Sequence, residues 1–251
     1  FLRCLLALAC AGAVGMAQAD TPPGPQILTT DAGRFYALYD STSGRPSVAQ
    51  LAGYLADGST GLDELAKARR VTPERIAEAM ASQPEVYAHG RSCLAELPAV
   101  KQRLVQVFGN LQAIYPQAAF PPVTIAVGRG RPVGLTSKSG VIIGLEALCN
   151  ADWMQPDVGD RFVHLIAHEY VHVQQPGARS EVEQPTLLYQ TLLEGGAEYV
   201  GELISGQTAN AHLHRWAQGR ECALERAFVQ DSRGTDLSQW LYNGPGDDAR
   251  R

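Results

Sequence analysis

His168-Glu169-Tyr170-Val171-His172 sets two imidazoles four residues apart, with a carboxylate beside the first. On an α-helix, residues i and i+4 lie one turn apart on one face, so both histidines can reach a single Zn²⁺ while Glu169 faces a water held there. That combination suits metal-assisted hydrolysis. Around it, Phe162, Val163, Leu165, Ile166, Ala167, Tyr170, Val171 and Val173 make the stretch from Asp160 to Gln175 apolar nearly all round, which predicts a buried helix. Buried imidazoles and carboxylates need partners.

A source of partners follows in Leu192-Leu193-Glu194-Gly195-Gly196-Ala197-Glu198-Tyr199. Glu194 and Glu198 are four apart and share a helical face among apolar or small neighbours, where two carboxylates repel unless a cation lies between or beside them. Paired glycines weaken a helix, so Gly195 and Gly196 are expected where another backbone, that of the histidine helix, comes close. His164 joins the histidine stripe one turn earlier. It lies about 12 Å from His172 along the axis, too far for one metal to take all three, and is read as a hydrogen-bonded core histidine. His89, His212 and His214 fall outside any ligand spacing.

The elements that must hold these groups can be read from their punctuation. Residues 31–115 are expected to form a series of short helices, with turns at Gly44-Arg45-Pro46 and Gly58-Ser59-Thr60-Gly61, and a helix start at Thr72-Pro73. Leu97, Val100, Leu104, Val107, Phe108, Leu111 and Ile114 recur three or four apart, predicting a helix with a wide buried face. The period then changes. Val123–Val127 and Val141–Leu145 are β-branched runs separated by a stretch holding Gly128, Gly130, Gly134 and Gly140, and are expected to pair as a hairpin. After the histidine helix, Pro176-Gly177 is a stop, and Pro185 is placed in the first turn of a helix running to about Ser205 before Gly206. The fold expected is α+β: one mainly helical domain with a small antiparallel sheet, made of a helical part 31–115, strands and site 123–205, and a helical part 209–251.

The ends are read differently. Arg3, the apolar run Leu5–Val14 and Ala17-Gln18-Ala19 resemble a secretory signal peptide over 1–19, followed by an extended segment over 20–30. A lipid anchor at Cys10 is the alternative. Removing nineteen residues from 251 leaves 232, enough for a sizeable core, and the 21 basic residues less Arg3 leave 20 against 26 acidic ones, a net charge of −6. No basic cluster in the sequence marks a nucleic-acid partner, and no long apolar stretch after residue 19 marks a transmembrane span. Cys93, Cys149 and Cys222 permit one disulfide in an oxidising compartment; their spacing leaves the pairing open.

The histidine motif, followed after 21 intervening residues by Glu194-Gly195-Gly196-Ala197, resembles the gluzincin pattern, and more specifically a bacterial family of predicted zinc-dependent proteases treated as a domain of unknown function. Softer likenesses are Gly58-Ser59-Thr60-Gly61-Leu62, Ile143-Gly144-Leu145-Glu146 and Asp236–Tyr242. The resemblance implies one Zn²⁺ held by His168, His172 and Glu194 with an open fourth position, as in catalytic rather than structural sites. Glu169 would then be the general base, and Glu198 would accept a hydrogen bond from a ligand histidine. Gluzincins also use a Tyr or His toward the oxyanion. Here Tyr199, His212, His214 and Tyr242 are available and none can be assigned, because the family continues beyond the segment resembling Trp240–Gly244 and this chain is expected to lack those residues.

These expectations amount to an exported zinc peptidase, periplasmic or secreted, taking a peptide or protein substrate. Strand addition would seat the peptide at residues 141–145, with Ile142, Ile143 and Gly144 in contact. Endopeptidase is preferred. Glu146, beside that strand, could bind a free α-amino group and make the protein an aminopeptidase. An exported zinc-binding protein without catalysis is the reading from another class.

Overall fold

The computed structural model describes residues 24–131, 133–175 and 184–241. The signal-like segment, Cys10, the Pro176-Gly177 stop and Tyr242 onward lie outside the described residues. The first half is a run of short helices, α1 (Thr30–Ser41), α2 (Val48–Ala56), α3 (Thr60–Arg69), α4 (Pro73–Ser82) and α5 (Pro84–Ser92). Their starts follow from local chemistry. Ser47 and Gln50 form a reciprocal capping box on α2, while the side chains of Ser59 and Thr72 accept the Leu62 and Arg75 amides at the starts of α3 and α4. Helices of 9 to 12 residues do not persist alone in water. Buried Phe35, Leu51, Leu62, Ile76 and Tyr87 tie them into the core.

A 3₁₀ turn at Cys93–Glu96 leads into α6 (Leu97–Ile114), whose Leu97, Val100, Leu104, Val107, Phe108 and Leu111 are buried as the periodicity predicts. Ile114, the last residue of the helix, is 54% exposed. The second half contains α7 (Leu145–Cys149), α8 (Val158–Gln174), α9 (Leu187–Ser205), α10 (Ala211–Ala217) and α11 (Glu221–Asp231). On α8 Asp157 is the cap, accepting the Asp160 amide at 2.8 Å. Thr186, rather than a first-turn Pro185, starts α9 by accepting the Tyr189 amide at 3.2 Å, and Gly206 ends it at φ +68°. The Leu187 and Leu188 amides donate to the carbonyls of Gly234 and Ser232, so the segment after α11 folds back onto the start of α9.

The sheet is small but mixed. Strands β1 (Ile27–Leu28), β2 (Val123–Ala126), β3 (Gly134–Ser137) and β4 (Gly140–Gly144) stand in the order β1-β2-β4-β3. β1 and β2, and β2 and β4, are parallel, with Val123 opposite Val141 and Ala126 opposite Gly144; only β3 and β4 are antiparallel. The expected hairpin between 123–127 and 141–145 is therefore corrected: the hairpin partner of β4 is β3, Gly-Leu-Thr-Ser, too poor in β-branched residues to stand out. The physical clue lay in the two strong runs themselves. Apolar at nearly every position, they suit strands covered on both faces, as parallel strands are. All nine residues of β2 and β4 are buried.

Helix α8 lies against the sheet at β3 and β4, against α6, and most extensively against α9. Among the glycines of α9, it is Gly201 that meets the backbone of the histidine helix, where a Cβ would stand 3.2 Å from the His168 Cα. At Gly195 and Gly196, the expected points, only Thr191 and Gln175 side-chain atoms come near. Gly201 is seven residues after Glu194, two turns along the same face, which explains the displacement. Among the described residues no helix is long and apolar enough to cross a membrane.

Cys93 and Cys149 form a disulfide joining the 3₁₀ turn to the end of α7, and Cys222 is free and exposed. The pair closes a loop with a sequence separation of 56 residues. Replacing both cysteines by alanine is expected to lower the unfolding free energy by about 4 kcal/mol, read by urea unfolding of the two proteins side by side.

Candidate metal centre

The three donors implied by the resemblance meet at one place. His168 Nε2 lies 3.0 Å from His172 Nε2 and 3.5 Å from Glu194 Oε2, and His172 Nε2 lies 3.3 Å from the same oxygen. Donors at zinc distances of about 2.0–2.1 Å in a tetrahedron stand about 3.3 Å apart, so the triangle has the dimensions of three tetrahedral corners. Helical spacing brings the histidines together; the α8–α9 contact brings Glu194 to them.

Neighbouring groups decide which atoms carry hydrogen. Gln175 Nε2 donates to the Leu193 carbonyl at 2.9 Å, which turns Gln175 Oε1 toward His172 Nδ1 at 2.7 Å. Nδ1 of His172 must then be the N–H. His168 Nδ1 likewise faces Glu198 Oε2 at 3.1 Å. With both Nδ1 atoms donating, the neutral rings turn two bare Nε2 lone pairs and a carboxylate oxygen onto one point, an arrangement that calls for a cation. Glu198 also faces His164 Nε2 at 3.1 Å and accepts the Asn210 amide at 3.2 Å. His164, His168 and Glu198 are a second group close enough to hold a metal, but here one carboxylate already accepts from both imidazoles.

Electrostatics agree. Burial pulls the His168 imidazole down, yet hydrogen bonding to Glu194 and Glu198 and the charge of Glu169 hold it up to about 9. Burial pulls His172 down as well, but hydrogen bonding to Glu194 and the charges of Glu169 and Glu194 together leave it raised. Glu198 is raised by burial but driven well below the carboxylate range by His164 and His168. Protons thus supply the positive charge that the carboxylates demand, and a metal bound in their place would release them.

Glu169 is buried, which pushes its carboxyl up against the opposing pull of His168 and Thr136. Thr136 Oγ1 on β3 donates to Glu169 Oε2 at 2.7 Å. Gly134, on the same strand, leaves the carboxylate its room, since a Cβ there would fall 2.6 Å from Glu169 Oε1. These groups line a cleft of about 1090 Å³, along with Tyr189 of α9, Trp153, and Arg69, Arg129 and Arg131.

The strand proposed for substrate contact lies elsewhere. Ile142 and Ile143 are 1% and 0% exposed, and β4 is flanked by β2 and β3, so Ile142, Ile143 and Gly144 have no free edge to offer. The outer strand on that side is β3, which also lines the cleft. Glu146 is 0% exposed, and its Oε1 accepts the Gly128 and Gly130 amides, each at 2.9 Å. It braces the loop after β2 and does not meet a substrate amine. Tyr199 is 70% exposed on the outer side of α9, while His214 sits 3.5 Å from Glu202.

Several residues of the site were not singled out in the sequence: Gln175, Thr136, Gly134, Asn210 and Tyr189. Only Gln175 carried a local signal, standing three residues after His172 where side chains on a helix meet. The others belong to elements distant in the chain. Comparison with known protein families, with curated proteins and with solved structures finds no match. What the fold and site define is therefore a class: a mainly helical α+β protein with a small mixed sheet and a His/His/Glu group able to hold a metal.

Burial pushes the Glu146 carboxyl above its ordinary 4.5, against the hydrogen bonds from the Gly130 and Gly128 amides. A carboxyl raised by folding contributes stability below the unfolded pKa that is lost as pH rises through the folded one. Glu146→Gln keeps an acceptor and cannot ionise, so the wild type's advantage over it should shrink as pH rises above 4.5, measured by urea unfolding across pH. A constant difference would contradict the raised value. Glu146→Ala orphans one buried and one half-buried amide and should cost about 2 kcal/mol.

Proposed function

We propose that the protein is a zinc-dependent peptidase of gluzincin type, with His168, His172 and Glu194 holding one Zn²⁺ and Glu169 as general base. The observation that carries this reading is the convergence of two imidazole lone pairs and a carboxylate at tetrahedral spacing, 3.0 to 3.5 Å apart, beside a buried glutamate. The gluzincin resemblance of the two motifs points the same way.

When bound, the cation would supply Lewis acidity, polarising a carbonyl and making water a nucleophile near neutral pH. The chain's own residues do the rest. Glu169 takes the proton from the attacking water and passes it to the leaving amine, a role helped by a carboxyl poised above its ordinary range. Thr136 fixes the Glu169 carboxylate by its 2.7 Å hydrogen bond. Glu198 and Gln175 hold the His168 and His172 rings with Nε2 free for the metal. The outer strand β3 offers main-chain groups along which an extended peptide can lie. A donor toward the oxyanion would come from the cleft wall, and Tyr189 is the side chain we assign to it.

Endopeptidase remains the preferred activity, because burial removes Glu146 as a receptor for an α-amino group. The Cys93–Cys149 pair agrees with export to an oxidising compartment, periplasmic or extracellular.

Zinc content separates the proposal from a coincidental motif: about one Zn²⁺ per chain is expected for the parent and far less for Glu194→Ala, and no zinc in the folded parent would sink it. Glu169→Gln should keep its zinc and lose at least about 10²-fold in peptide turnover. Equal turnover would return the protein to the non-catalytic, zinc-binding class. Gly134→Ala displaces the Glu169 carboxylate without touching the ligands; it should fold, bind zinc and turn over about tenfold more slowly.

A further inference from the structure

Three arginines line the cleft, and two more adjoin them. Arg69 and Arg70 end α3, Arg75 lies in the first turn of α4, and Arg129 and Arg131 lie on the loop between β2 and β3. Arg69, Arg129 and Arg131 line the same cleft as the metal ligands. The group is built: Arg129 Nε donates to the Arg69 carbonyl at 3.1 Å, and Arg75 Nη1 to the Arg70 carbonyl at 3.1 Å. Among the described residues none of the five has a carboxylate within 4.0 Å, although Arg34, Arg91 and Arg103 each have one. In a chain with a formal net charge of −5, that is a marked imbalance.

The scaffold holds the imbalance in place. Buried Glu146 pins the Gly128 and Gly130 amides on either side of Arg129, and Gly130 turns at φ +81°. Burial, and then the charges of Arg75 and Arg131, lower the Arg129 guanidinium below its ordinary value. Holding them together uncompensated costs free energy that an anion would return.

We infer that this arginine group is a specificity site for an acidic peptide, binding a carboxylate of the substrate two to four residues from the scissile bond. The position follows from the chain. Arg131 is three residues before Gly134, which stands over Glu169, so their Cα atoms are at most about 10 Å apart, roughly three residues of an extended peptide. Guanidinium groups pair carboxylates with two parallel hydrogen bonds. The inference rests on the peptidase reading for what lies at the other end of the cleft, but the anion site can be tested without it.

Two dansyl-labelled hexapeptides, differing only in carrying two glutamates or two glutamines, serve as probes for zinc-loaded Glu169→Gln protein. Fluorescence anisotropy should show the glutamate peptide binding about tenfold tighter at low salt, with the preference shrinking as ionic strength rises. Arg129→Gln/Arg131→Gln should abolish the preference and leave glutamine-peptide binding unchanged. Should the double variant fail to fold, exposed Arg131→Gln alone should reduce the preference about threefold. Equal binding of both peptides by the Glu169→Gln protein, or an undiminished preference once the arginine substitutions are added to it, overturns the inference. Turnover of the same pair by the parent is the companion readout: cleavage of neither, with the binding preference intact, would remove the peptidase and keep the anion site.

Discussion

The rest of the structure depends on three acceptors being forced together. Two imidazole lone pairs and a carboxylate oxygen do not stay 3.0 to 3.5 Å apart unaided; a proton or a metal must sit among them, and the fold must hold them there. The holding is done by α8 against α9. Gly201 lets the two backbones close at His168, and Ala197 and Ile204 are buried on the same side of α9. Gln175 fastens the helices a second time, donating to the Leu193 carbonyl while orienting His172. One amide thus serves the packing and the tautomer at once.

Glu169 is held from the other side. The β3–β4 turn is fixed by Glu64 of α3, whose carboxylate accepts the Ser137 hydroxyl at 2.6 Å and the Ser139 amide at 3.1 Å. Those bonds, with Lys138 nearby, outweigh partial burial and lower the Glu64 carboxyl, so the clamp is ionised at neutral pH. One strand residue before the turn, Thr136 reaches Glu169. The position of the proposed base therefore depends on a chain of polar contacts running from a surface helix through a hairpin.

How much of this could be read in advance follows the range of each interaction. The short helices, the Thr72 start, the buried face of α6 and the shared face of Glu194 and Glu198 were legible, because periodicity and capping act within a turn or two of chain; Ser59, read as part of a turn, caps α3 instead. The order of the strands was not. β3 is four weakly typed residues, and the central place of β4 is set by pairing with β2, eighteen positions away. Gly201 and Glu146 show the same limit. A glycine's neighbour and a carboxylate's partners are tertiary facts, and a glutamate following a strand reads identically whether it faces substrate or braces a loop.

Glu146 also shows why the two ends of the cleft belong together. A buried carboxyl raised by desolvation is an expensive way to hold two amides, when a shorter loop or a serine could do so. Its place is intelligible if the loop has to hold a shape that disfavours itself, with the Arg129 charge partly buried and opposed by those of Arg75 and Arg131. At the metal end, carboxylates crowd in the same manner and call for a cation. Opposite charge surpluses within one cleft define a direction along it. On the proposed peptidase reading, an extended peptide whose scissile carbonyl lies at the cation-seeking end and whose carboxylate lies at the arginine end satisfies both, and the residues proposed to orient it and to cleave it would be coupled by the charge each end lacks.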